Sequence, residues 1–291
     1  MANFDLIAFD LDGTVFAEPH NEDIRPRVVR AFEAAHRAGV RISVASGRPV
    51  NMLGQTLMSA PWLDWLITVN GASVSSARDG AMVKARMMPR DQVREIVSVV
   101  RSIGDGAGKG GWSLFAPNRT CFDAALNEMF SAEMPEEPER ENFSFVESVA
   151  DRWGSVEEVS TVDAALDSLS TDVFKIGCMF ASPEELGAAR QAVEASPLDG
   201  LEMAQVGPTE LEITRAGVNK GSALGILCRE LGIDESRAVA FGDSGNDETF
   251  AQSACTFVAM GNADPHIKAI ADDLCPSVKE DGVAVWLEEH L

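Results

Sequence analysis

A chain of 291 residues has room for one large domain or two ordinary ones, and 45% hydrophobic against 24% charged residues is the balance of a globular protein. Its 24 basic and 46 acidic residues leave a net charge of −22, a surface that repels nucleic acid and anionic membrane and excludes both as expected partners. A small anionic substrate then needs a local positive site inside an acidic body.

In chain order, the apolar run over 5–10 reads as a buried strand. Residues 23–38 place Val28, Val29, Phe32 and Ala35 on one helical face, with Gly39 as the stop. "VRISVAS" (40–46) and "LDWLITVNGA" (63–72) hold two further strands. The alternation resumes beyond 213: helix 219–231, strand 238–242, helix 246–253, strand 256–260 and helix 264–271. Strand alternating with helix is the pattern of a parallel sheet with crossover helices, and five strands are expected in one sheet. The intervening segment, 85–212, lacks that rhythm. It offers a helix near 89–103, a hairpin over 112–124 turning at Pro117-Asn118-Arg119, a Pro-rich polar passage at 132–143, a strand over 172–180 and a helix over 183–195. This suits an inserted α+β domain. The expected division is therefore 1–84 with 213–291 as a doubly wound α/β core, and 85–212 as the insertion.

Four polar clusters follow predicted strands or open a predicted helix: "DLDGT" (10–14), "SGRP" (46–49), "VNKGS" (218–222) and "GDSGND" (242–247). Each has an ordinary reading. Asp-Gly after a strand is a hairpin signal, Ser46 is a candidate helix cap, Lys220 a candidate solvated lysine, and Gly-Asp-Ser-Gly-Asn-Asp a flexible turn. A calcium loop counted from Asp10 fails, with Val15 at its sixth position and Asn21 at its twelfth. In an open parallel sheet, however, the loops at the carboxyl ends of strands meet in one crevice. That crevice would collect Asp10, Asp12, Ser46, Lys220, Asp243 and Asp247. Four ionised carboxylates cannot share a site without a cation, and oxygen donors beside a lysine suit Mg²⁺ with a phosphate.

Taken in order, "FDLDGT", Ser46 in "SGR", Lys220 and "GDSGND" resemble the four motifs of the haloacid dehalogenase (HAD) superfamily. The large insertion after the second motif, with "VNGA" before it, is similar to the Cof-type branch with a type IIB cap. The resemblance implies a Rossmann-like core with an inserted α+β cap, and a Mg²⁺-dependent phosphatase of small phosphorylated metabolites, sugar phosphates first. It implies Asp10 as nucleophile, forming an aspartyl-phosphate, and Asp12 as the acid and base; the superfamily's dehalogenases lack that second aspartate. Ser46 and Lys220, with Gly47 and Asn246, become the phosphate-binding residues. Asp10, Asp243 and the backbone carbonyl of Asp12 become the Mg²⁺ ligands, with Asp247 supporting the ion or, like Asn246, orienting Lys220. Arg48 and Asn70 are expected near the crevice mouth as substrate contacts. Trp112, Arg119 and Lys175 are weaker candidates in the insertion. A sugar phosphomutase and a catalytically idle metabolite sensor are the alternative readings on the same fold.

Cys121, Cys178, Cys228, Cys255 and Cys275 show no Cys-x-x-Cys pair, and free thiols in a reducing compartment are expected. His20, His36, His266 and His290 are equally dispersed, against a zinc site. Asp5 and Asp10 interrupt any apolar leader, and no stretch approaches a membrane span. A cytoplasmic monomer or homodimer is the expectation.

Overall fold

The computed structural model describes residues 3–17, 23–103, 110–133, 153–206 and 208–291. The chain divides into two compact units, Met1–Ala85 with Val218–Leu291, and Arg86–Gly217.

The first unit is built on an eight-stranded sheet in the order β14-β13-β12-β1-β2-β3-β4-β5. Its strands are β1 (Leu6–Phe9), β2 (Arg41–Ala45), β3 (Trp65–Thr68), β4 (Ser73–Ser76), β5 (Met82–Ala85), β12 (Ala238–Gly242), β13 (Thr256–Ala259) and β14 (Asp273–Leu274). From β14 to β3 the neighbours run parallel, while β4 and β5 return antiparallel. β1, β2, β12 and β13 are almost wholly buried, the near-continuous apolar runs of a sheet covered on both faces. Helix Pro26–Arg37 starts on a proline, whose fixed φ suits the first helical position. It buries Val28, Ala31, Phe32 and Ala35, so Ala31 rather than Val29 completes the core face. Phe32 then packs between Phe9 and Trp62, with ring centroids 4.6 and 4.8 Å away.

The five expected strands all sit in one sheet, and three more extend it to eight, because the serine-rich stretch after β3 forms the β4–β5 hairpin and a two-residue edge strand adds β14. The helix expected over 246–253 is a short 3-10 turn, Gly245–Phe250. A further helix, Gly282–His290, buries Val283, Ala284, Trp286 and Leu287.

The second unit carries a six-stranded sheet in the order β10-β11-β9-β6-β7-β8. Its strands are β6 (Gly111–Ala116), β7 (Arg119–Asp123), β8 (Ser155–Val159), β9 (Lys175–Met179), β10 (Leu201–Val206) and β11 (Glu210–Arg215). Side chains alternate across it. Trp112 and Leu114, Ile176 and Cys178, and Leu211 and Ile213 form one core with helices Arg90–Arg101, Val162–Ser168 and Pro183–Ala195. Asn118, at φ 60, turns the β6–β7 hairpin. The unit extends to Gly217 rather than 212, because β11 pairs with β9 and β10 and so belongs to this sheet. Of the passage 132–143, all but the end of helix Ala124–Glu133 lies outside the described residues. All five cysteines are free and buried, and no described helix is long and apolar enough to cross a membrane.

Candidate functional site

β1 lies between β12 and β2, where the strand order changes direction, and the chain leaves all three at the same end of the sheet. Asp10 follows β1, Ser46 follows β2 and Asp243 follows β12. This is the switch point at which open α/β sheets bind ligands.

The two N-terminal aspartates do not share a strand face, because β1 ends at Phe9. Beyond it the N–H groups of Thr14, Val15 and Phe16 all donate to the Leu11 carbonyl, at 3.2, 3.0 and 2.8 Å. This tight turn sends the two acids to different cations. Asp10 is 4% exposed and accepts from Lys220 Nζ at 2.6 Å. Asp12 is held by Arg48, whose Nη2 and Nε donate to its two oxygens at 2.6 and 3.0 Å. Arg48 also donates to the Met52 carbonyl at 3.2 Å, and its guanidinium lies over the Phe16 ring. Arg48, expected near the crevice mouth as a substrate contact, therefore offsets the charge of Asp12.

Lys220 opens helix Lys220–Leu231, fixed there by the Asn219 cap, whose side chain accepts from Ser222 N–H at 2.7 Å. The lysine is fully buried. Its Nζ donates to Asp10 Oδ1 at 2.6 Å, Asp247 Oδ1 at 2.7 Å and Asn246 Oδ1 at 3.1 Å, which commits all three ammonium protons. Asp247 is equally buried and its Oδ2 accepts from the N–H groups of Asp243 and Ser244, at 3.0 and 3.1 Å. Gly242 permits this, since a Cβ there would lie 2.3 Å from the Asp247 carboxyl carbon. With three acceptances already made, Asp247 anchors the lysine and the turn.

Asn246 also accepts from Ser244 Oγ at 3.0 Å and donates to Asn70 Oδ1 at 3.3 Å. Asn70 therefore reaches the site through Asn246. It sits in the turn after β3, where Val69 and Asn70 hold φ 53 and 55, a left-handed pair that costs roughly 1–3 kcal/mol at the β-branched Val69. Gly47 lies against the same amides, with Asn70 Oδ1 2.9 Å from where its Cβ would be. Ser46 is buried, and its hydroxyl oxygen accepts from Arg48 N–H at 3.1 Å.

One oxygen each from Asp10, Asp243 and Asp247 lies within 4.8 Å of the others; Asp12 is outside this group. Three carboxylates against one ammonium leave two uncompensated negative charges. Burial, opposed by Lys220 and reinforced by Asp247, pushes the Asp10 carboxyl up to about 8. Burial and Asp247 push Asp243 up to about 7. For Lys220 burial acts the other way, and the charges of Asp10 and Asp247 outweigh it, holding the ammonium above its usual range. Asp243 Oδ1 is buried with no hydrogen-bond partner. Excess negative charge, hard oxygen donors and one orphaned carboxylate oxygen fit a divalent cation of the Mg²⁺ type.

The sequence matches the haloacid dehalogenase-like hydrolases over residues 7–287. The chain belongs to that family. Within it, this is a Cof-type phosphatase, a phosphoric monoester hydrolase with the Rossmann-like HAD core and an inserted cap. A phosphoglycolate phosphatase of Methanobrevibacter smithii is 42% identical over 99% of both chains. The putative phosphatase YxeH of Bacillus subtilis is 25% identical over 98% of both. Two solved structures share the fold. A HAD-like hydrolase from B. subtilis has TM-score 0.78 and 23% identity over 99% of this chain and all of the other. The sugar phosphatase BT4131, of HAD subclass IIB, has TM-score 0.77 and 22% identity over 98% of both.

Elsewhere in this HAD phosphatase, Trp112 is a core residue, Arg119 pairs with Glu157, and the buried Lys175 pairs with Glu212. All three weaker candidates are thereby accounted for within the second unit. Sequence reading missed Asn262, whose Nδ2 donates to the Gly13 carbonyl at 2.8 Å and to Asp243 Oδ2 at 3.3 Å. An uncharged residue after a glycine reads as a turn, and no local signal separates the two roles.

Proposed function

We propose that this HAD phosphatase hydrolyses small phosphorylated metabolites with Mg²⁺, through an aspartyl-phosphate on Asp10. The observation that carries the reading is Lys220 Nζ bridging Asp10 and Asp247 beside the partnerless Asp243 Oδ1. Asp10 and Asp243, with the backbone carbonyl of Asp12, would hold the Mg²⁺. When bound, the ion supplies positive charge that stabilises the phosphoryl oxygens and the buried carboxylates.

Lys220 holds one oxygen of Asp10 and leaves the other to attack phosphorus. The bond to the leaving oxygen breaks as Asp12 gives that oxygen a proton. Asp12 then takes a proton from the water that attacks the aspartyl-phosphate, which frees phosphate and restores the Asp10 carboxylate. Each transfer requires Asp12 to loosen the two-point grip of Arg48. Ser46, whose hydroxyl oxygen is occupied by Arg48 N–H, keeps its O–H to donate to the phosphoryl group, with Gly47 beside it. Lys220 contributes charge to that group, and its longest bond, to Asn246, is the one it can exchange for a phosphoryl oxygen.

Substrate choice is assigned to the inserted second unit, and the setting to the cytoplasm. Sugar phosphates are the first candidates, and phosphoglycolate is the second because of the 42% identical relative. The test is phosphate release from a panel of phosphorylated metabolites by the purified protein with Mg²⁺, with and without EDTA. Release that EDTA leaves intact rules out the metal-dependent route. Products that retain phosphate on another carbon point to the mutase.

The raised carboxyls set a pH signature. From about pH 4 the folded metal-free protein holds protons that the unfolded chain has released, on Asp243 up to about pH 7 and on Asp10 up to about pH 8. Stability of the metal-free protein therefore falls as pH rises across that window and levels off once pH passes about 7 for Asp243 and about 8 for Asp10. A dication that replaces those protons stabilises more at high pH. The Mg²⁺-induced rise in melting temperature is expected to be larger at the alkaline end of that window than at the acid end. Equal rises at both ends would contradict this charge assignment.

A further inference from the structure

Asn262 lies in the turn after β13 and is exposed, yet its amide joins three separate segments around Asp243. Nδ2 donates to the Gly13 carbonyl at 2.8 Å and to Asp243 Oδ2 at 3.3 Å, while Oδ1 accepts from Val278 N–H at 2.8 Å. The Val278 bond fixes which edge of the amide faces the carboxylate. Gly13 closes the other side. At φ +83 it has no side chain, and a Cβ there would lie 2.1 Å from Asp243 Oδ2. One oxygen of Asp243 is thus clamped between an amide and a turn. The other, Oδ1, is buried and partnerless.

We propose that Asn262 is a positioning residue that makes Asp243 a one-oxygen ligand, and so favours Mg²⁺ over Ca²⁺ at this site. A carboxylate turns easily about its last bond, so an unclamped Asp243 offers either oxygen or both. Mg²⁺ demands near-octahedral geometry with short bonds, whereas Ca²⁺ accepts two oxygens from one carboxylate in looser shells. Holding Oδ2 on Asn262 removes the two-oxygen mode. The inference rests on the metal reading above.

Calorimetric titration of the free protein with Mg²⁺ and separately with Ca²⁺ tests it, alongside melting of the metal-free form. Asn262→Ala is expected to weaken Mg²⁺ binding by roughly tenfold or more, the usual effect of removing a partner behind a metal ligand. Ca²⁺ binding should weaken much less, narrowing the preference, while metal-free melting stays near wild type because the residue is exposed. Asn262→Leu, which keeps the bulk and loses all three side-chain hydrogen bonds, should behave alike. Unchanged Mg²⁺ affinity, or equal losses for both ions, overturns the inference. So does loss of the folded metal-free state in both variants, since the side chain then holds the turn and not the oxygen. A wild-type protein that binds neither ion fails the metal reading instead.

Discussion

Asp10→Asn is expected to lower turnover on the order of 10⁴-fold or more, the scale of losing an enzyme's nucleophile. The replacement keeps the shape of the side chain but substitutes an amide, which does not attack phosphorus. The fold should survive it. Lys220 Nζ retains Asp247 Oδ1 and Asn246 Oδ1 as acceptors and gains the amide oxygen, so no buried donor is stranded. The buried carboxyl that is hardest to ionise is also gone, so metal-free stability at pH 8 should match or exceed wild type. Phosphate release with saturating Mg²⁺ and chemical denaturation are the two measurements. A loss of only ~10²-fold would fit a residue that merely places charge, and would overturn the covalent route.

Lys220→Met should damage both activity and stability. The substitution keeps length and removes the only cation in contact with Asp10 and Asp247 among the described residues. Loss of the positive group beside the phosphoryl oxygens costs roughly 10²–10³ in turnover, or about 2.7–4 kcal/mol. Because Asp10 is then also misplaced, the loss is expected at or above the upper end. Breaking a fully buried ion pair from one side typically costs about 3–5 kcal/mol of stability, and here two carboxylates are stranded at once. Added Mg²⁺ should recover part of that stability, since the ion replaces some of the lost positive charge. Metal affinity of the free protein should not fall, because Lys220 is not a ligand and its removal leaves the site more negative. Near-normal turnover would mean that another group neutralises the phosphate. A variant as stable as wild type without metal above pH 8, where Asp10 is ionised, would mean that Lys220 does not hold the buried carboxylates.

The sequence and the structure part company at particular residues. Asp10 and Asp243 were legible because charged residues just past apolar strands have few reasons to be there, and strand order brings those ends together, while Asp247 follows in the same polar cluster and Lys220 opens a helix. The β4–β5 hairpin was not legible, since a serine-rich edge carries no clear two-residue alternation. The 3-10 turn Gly245–Phe250 replaced an expected helix because the two residues leading into it, Asp243 and Ser244, give their N–H groups to the Asp247 side chain. Arg48 was placed by reach alone, and reach does not say which acid a guanidinium will meet.

By itself the sequence determined the α/β alternation, the insertion and the set of groups that the site can draw on, because these follow from periodicity and from residue type. Tertiary structure alone decided the pairing: Asp10 with Lys220, Asp12 with Arg48, and Asp243 clamped by Asn262 with one oxygen left over. The physical reason is distance along the chain. Each pair joins residues from separate segments, and hydrogen bonds of 2.6 to 3.3 Å depend on how turns close after the strands end, where side-chain periodicity no longer applies.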